Sequence, residues 1–336
     1  MNTLPKPILA MVISFSFQNR AVCRRWRDTV KYTFDDDDFE KICAHGTVSV
    51  LHMFLEQYPA QKWKRGSKII STSGNLDLLK FIRNNYSHDD HSILAKACLR
   101  KHLHIVKYLI EKGAEVCNNS LYYAYMGGCD EIIKIVHEHH GGLEMNRAFA
   151  LALAGAAAGG HEELAMPLLE KVCVKDRNSF MFESACCGGN LKIVSVLVDT
   201  ADNAEEIDYC LYLACKKKRT EVVHFLIQNG ANDWNLGLDG ACESGCVELI
   251  QLMIQHGADD WNRGMITACK RNFVDIFSLM VQHGADEWEE GFFYACKHDS
   301  IDTVREILSR KSLDITDGIE IARKNRSKKI LRFFGK

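Results

Sequence analysis

Proline is scarce: the chain has four in 336 residues, three of them before position 60. A body so poor in proline keeps its backbone N–H groups for helical hydrogen bonds. Charge excess is absent too, with 42 basic against 44 acidic residues and a formal net charge of −2. That balance gives no overall attraction to nucleic acid or to a membrane surface. No stretch reaches the roughly eighteen uninterrupted apolar residues of a spanning helix. The partly apolar run 4–17 is broken by Pro5 and Pro7 and followed by basic residues, so it is not read as a secretory leader. No Cys-x-x-Cys occurs, which removes the commonest zinc and thiol-redox spacing. The Gly-rich stretch 152–161 lacks the Lys-Ser/Thr that completes a phosphate loop.

What is present is cysteine, fourteen of them. In a chain this large with no leader they are expected to be reduced, which places the protein in cytoplasm or nucleus. Their positions follow a repeat. Segments 230–256, 257–283 and 284–310 align without a gap at a period of 27 residues. Ala-Cys recurs at 241–242, 268–269 and 295–296, and earlier at 97–98, 185–186 and 214–215. Weaker copies at 42–43, 70–71, 124–125, 156–157 and 322–323 complete about eleven units, spaced by 27 to 32 residues.

Each unit predicts the same local structure. A helix carries the small Ala-Cys pair inward, where a reduced Cys acts as a small hydrophobe and lets neighbouring helices approach. A tight turn follows, often with Gly, as at Gly74, Gly128, Gly189 and Gly245. A second helix has apolar residues at helical spacing, such as Val247, Ile250 and Ile254. A Gly-Ala then ends it, because glycine tolerates the left-handed cap. One such pair cannot bury its apolar face alone, so the units must stack.

The run Ala241-Cys242-x-x-Gly245-x-x-Glu248-Leu249-Ile250, closing on Gly257-Ala258-Asp259, resembles the ankyrin repeat. The units are about six residues shorter than the usual 33 and lack the Thr-Pro-Leu-His start. The shortening falls where ankyrin repeats project a β-hairpin finger, so a blunt Trp-bearing loop is expected there. The style is similar to that of multi-copy ankyrin families of large DNA viruses, which would place the protein in host cytoplasm. The expected fold is all-α, an ankyrin-like solenoid over 39–336 with a basic capping helix at its end. The expected function is binding of a protein partner by a monomer that is not an enzyme, with no cofactor, metal, nucleic acid or membrane.

Residues 1–38 fall outside the repeat. Leu4, Pro5, Ile8, Leu9 and Val12, then Val22, Cys23 and Trp26 within Val-Cys-Arg-Arg-Trp-Arg, resemble an F-box. That resemblance implies docking on the Skp1 adaptor of a cullin ubiquitin ligase, with the repeats holding the target. The alternative is an apolar cap for the first repeat, on a chain that simply binds or sequesters its partner. The Asp35–Asp38 run reads as a solvated linker.

Other constellations have bland and sharp readings. His137-Glu138-His139-His140 lacks the His-x-x-x-His spacing of two ligands on one helix face, and it falls at a helix end where histidines suit the dipole. Trp63, Trp234, Trp261 and Trp288 each precede the next Cys position by eight residues, and Asp233, Asp260 and Glu287 precede the last three. They read as packing rungs with Asp as the helix cap, or as an aromatic-acidic strip for a partner. The tail 323–336 has seven basic residues and no acid. It reads as a capping helix, or as a nuclear signal or a contact for an acidic surface.

Overall fold

The computed structural model describes residues 69–85, 89–141, 145–173, 177–201 and 204–335, with Cys43, Gly46, Val48 and Leu51. It divides into two compact units, one up to Leu143 and one from Glu144 on. The described residues form helices and turns, with no strand among them.

In the first unit α1 spans Leu76–Asn85, α2 Asp90–Leu99, α3 Leu103–Glu111, α4 Asn118–Gly127 and α5 Asp130–His139. The first helices α2 and α4 pack side by side, and so do the second helices α3 and α5.

The second unit repeats that plan. Its first helices are α6 (Met145–Gly159), α8 (Ser179–Gly188), α10 (Ala204–Lys216), α12 (Trp234–Ser244), α14 (Trp261–Arg271), α16 (Trp288–Lys297) and α18 (Thr316–Asn325). Its second helices are α7 (Glu162–Lys171), α9 (Leu191–Leu197), α11 (Thr220–Gln228), α13 (Val247–His256), α15 (Val274–Gln282), α17 (Ile301–Arg310) and α19 (Lys328–Phe333). Each first helix packs on the next, and each also packs on its own second helix, so the core lies between the two rows.

Small residues make the first row close. Ala185-Cys186, Ala214-Cys215, Ala241-Cys242, Ala268-Cys269 and Ala295-Cys296 are fully buried. A methyl group built on Gly240 would meet the Tyr212 carbonyl oxygen of the preceding first helix. Burial pushes the thiols of Cys215, Cys242, Cys269 and Cys296 up to about 12, so they remain protonated at neutral pH. A protonated buried thiol is a core hydrophobe and not a nucleophile. With a thiol-exchange reagent at pH 8, exposed Cys173 should react in the native protein. The Ala-Cys thiols should react only after denaturant is added; fast native reaction at Cys242 would show that the rows open readily.

The Gly-Ala signal has a direct structural reading. Gly257 caps α13 at φ 109°, and the following Ala258 N–H returns to the Met253 carbonyl at 3.0 Å with its methyl buried. The turn inside each pair also needs a left-handed residue. Gly245 supplies it between α12 and α13, but its equivalents are Asn272 and Asp299, both at φ 60°. Their side chains are used instead. The Asn272 Oδ1 accepts from the Asp302 and Thr303 N–H groups at 3.0 and 3.1 Å, capping the second helix of the next repeat.

Candidate functional site

The Trp residues begin helices. Trp234, Trp261 and Trp288 are the first residues of α12, α14 and α16, where a loop position had been expected from the sequence. The loop ends one residue earlier, at an N-cap, because Asp233 and Asp260 accept from the Leu236 and Arg263 N–H groups at 2.9 and 3.1 Å. Glu287 takes the same place without a side-chain cap bond. The half-buried Trp234 and Trp261 rings lean on their own repeats, and Trp288 leans on the repeat before it. Trp234 stacks on His256 at 4.6 Å and Trp261 on His283 at 4.8 Å between centroids. Trp288 has Arg310 where the others have His, and it turns edge-on to Phe277 at 5.9 Å. Trp63 lies outside the described residues.

The Asn after Trp234 and after Trp261 ties one repeat to the next. The Asn235 Oδ1 accepts from the Asp259 and Asp260 N–H groups at 2.8 and 3.0 Å, and its amide donates to Asp259 at 3.0 Å. Asn262 repeats this with Asp286 and Glu287. Asp208, one period earlier, holds the Asn232 and Asp233 N–H groups at 2.6 and 2.9 Å. Asn262→Ala should therefore lower stability by about 1 kcal/mol in urea unfolding, since exposed N–H groups find water in place of the lost acceptor. Glu289→Ala, at the next equivalent position, should change nothing measurable.

The open face of the first-helix row carries most of the chemistry of this unit. A concavity of about 700 Å³ lies over α12, α14 and α16, between the acidic helix starts at Asp260 and Glu287 and the basic ends at Lys270 and Arg271. Asp239 on its floor accepts from Arg263 at 2.7 Å and from the Thr267 hydroxyl at 2.9 Å. Glu243 accepts from the Tyr212 hydroxyl at 2.7 Å and from Arg271 at 2.6 Å, and pairs with Lys216 at 3.2 Å. Burial alone would raise the Glu243 carboxyl. The hydrogen bonds from Tyr212, Arg271 and Lys216 outweigh it and hold the carboxyl below the ordinary range. Aromatic edges stand on the same face. Tyr209 is 43% exposed and stacks on Tyr212, and Phe293 is 37% exposed beside Tyr294.

Sequence reasoning missed this face. Its signal was present as variation at fixed register: positions 212, 239, 266 and 293 read Tyr, Asp, Ile and Phe, and 216, 243, 270 and 297 read Lys, Glu, Lys and Lys. Residues that serve the stack stay constant from unit to unit, whereas several of these differ.

The histidine cluster disperses. His137 bonds to the Tyr125 hydroxyl at 2.7 Å, and His139 to the Ile135 carbonyl at 2.9 Å. Among the described residues, no three His, Cys, Asp or Glu side chains converge as a metal site. No described helix is long and apolar enough to cross a membrane. The adaptor-docking candidates Leu4, Pro5, Ile8, Leu9, Val12, Val22, Cys23 and Trp26 all lie outside the described residues.

Residues 68–148 match the family model for ankyrin repeats in three copies, and residues 208–236 match the model of a single ankyrin repeat. The chain is also similar to the crystal structure of the human ASB11 ankyrin repeat domain, at 20% identity and a TM-score of 0.38, over 66% of this chain and 98% of that one. No curated protein sequence matches it. Over those matched residues the helix pairs are ankyrin repeats, which serve as protein–protein interaction scaffolds, and the other described residues form helix pairs of the same all-helical kind.

Proposed function

We propose that the open face of α10, α12, α14 and α16 is the surface on which this scaffold grips its protein partner. The observation that carries this reading is the pair of half-exposed aromatics, Tyr209 and Phe293, flanking fixed ion pairs at Asp239 and Glu243. Aromatic anchors beside preorganised charges are the composition of an interface centre. The ion pairs are held before any partner arrives, which reduces the ordering cost of binding.

By resemblance to an F-box, residues 1–38 would join that partner to a Skp1-cullin ligase, in cytoplasm or nucleus. The full chain should co-purify with Skp1, and Trp26→Ala should abolish it. No co-purification by the intact chain defeats the ligase link and leaves a binding or sequestering scaffold. The surface itself is tested separately, by affinity capture with Tyr209→Ser/Phe293→Ser. Both side chains are exposed, so the fold should stand while the captured partner is lost.

A further inference from the structure

At positions 216, 243, 270, 297 and 324 the first helices α10, α12, α14, α16 and α18 carry Lys, Glu, Lys, Lys and Lys. Glu243 is neutralised in place by Lys216 and Arg271. Beyond it the row is lysine alone. Among the described residues no carboxylate pairs with Lys270, Lys297 or Lys324. Lys270 and Lys297 instead sit over the Tyr294 ring, 4.3 and 5.6 Å from its centroid. Lys324 is exposed on the next helix, beside exposed Arg323. The local field is positive: besides burial, Lys297, Lys270 and Arg271 depress the His298 imidazole below its ordinary value. Like charges held in a row repel one another, and a ligand of opposite charge relieves that repulsion as it binds.

Geometry narrows the ligand. Neighbouring packed helices stand roughly 8–10 Å apart, so the lysine-bearing positions recur at about that interval. A polyproline II segment has three residues per turn and rises about 3.1 Å each, returning a side chain to one face about every 9 Å. A β-strand returns one about every 7 Å and falls out of step within two repeats. An α-helix matches only at every seventh residue, at about 10.5 Å, and presents one carboxylate where the extended chain presents one in three residues.

We infer that Lys270, Lys297 and Lys324 form a docking track for an extended acidic segment of a partner protein, in polyproline II form with a carboxylate at every third residue. The inference rests on the open face being the binding surface.

The probe is a fluorescent nine-residue peptide, three copies of Glu-Pro-Pro, titrated into the full chain at low salt and read by anisotropy. Its isomer with the three Glu residues adjacent should bind about tenfold more weakly, because only one or two of its charges reach a lysine. Lys270→Glu/Lys297→Glu/Lys324→Glu should weaken the spaced peptide by about thirtyfold or more, with the circular dichroism unchanged. Raising the salt to about 0.5 M should erase most of the affinity. Equal binding of the two isomers overturns the track, as does full binding by the triple variant. Tighter binding of a peptide with Glu at every seventh residue, or of a nine-nucleotide single strand, overturns it as well. Partner capture separates this inference from its premise. If the triple variant still captures what Tyr209→Ser/Phe293→Ser loses, the face binds and the track is wrong. If neither variant alters capture, the surface reading itself fails.

Discussion

Gly188→Ala should destabilise the second unit by about 3 kcal/mol, although alanine is the better helix former. Gly188 ends α8, and a methyl group built on it runs into the carbonyl oxygen and carbon of Ala157 in α6, with the Gly160 N–H 3.2 Å away. All three obstacles are backbone, so no rotamer change relieves them and α6 and α8 must move apart. The gain in helix propensity, about 1 kcal/mol at most and less at a helix end, cannot offset that. Gly264 is the control. A methyl there meets the Met280 sulfur at 2.6 Å, the far end of a flexible side chain that can turn aside. Gly264→Ala should therefore cost less than about 1 kcal/mol. Urea unfolding of both variants checks the contrast, and equal losses would mean that the α6–α8 contact is softer than its geometry.

The repeat made the helix order readable in advance, because the residues that build it recur. Ala-Cys marks the close row, Gly-Ala marks the Schellman cap, and Asp marks the N-cap. Each signal is a local steric or hydrogen-bonding requirement that the next unit must meet again. What was not legible is long-range by nature. The Trp-His stack joins residues 22 positions apart, and the Asn clamp joins 235 to 259 across a repeat boundary. Neither pair has a local spacing that announces it. The left-handed turns at Asn272 and Asp299 were hidden for another reason: they lack the glycine that marks this turn in other units, and the side chain in its place caps the next repeat. The open face stayed unread because its residues change from unit to unit, so a search for self-similarity discards them.

The same nearest-neighbour logic sets the reach of a core deletion. Phe277 is fully buried in α15, with Trp288 edge-on to its ring and the Arg310 guanidinium 6.0 Å from its centroid. Phe277→Ala should cost about 3–5 kcal/mol, the lost transfer energy plus a cavity that the flanking helices cannot fill. They are held apart on one side by the Asn262 clamp and on the other by the Asn272 cap, so collapse would break hydrogen bonds as well as close space. Phe277→Leu leaves a smaller cavity and should cost about half as much. The damage should stay local, since each repeat touches only its neighbours. Hydrogen exchange should show protection lost over α15, α16 and α17 and kept over α6 and α8. Tryptophan emission offers a second readout: Trp288 loses its ring partner, whereas Trp234 and Trp261 keep their histidines. A loss of protection spread evenly through the unit would show one cooperative block in place of a chain of coupled repeats.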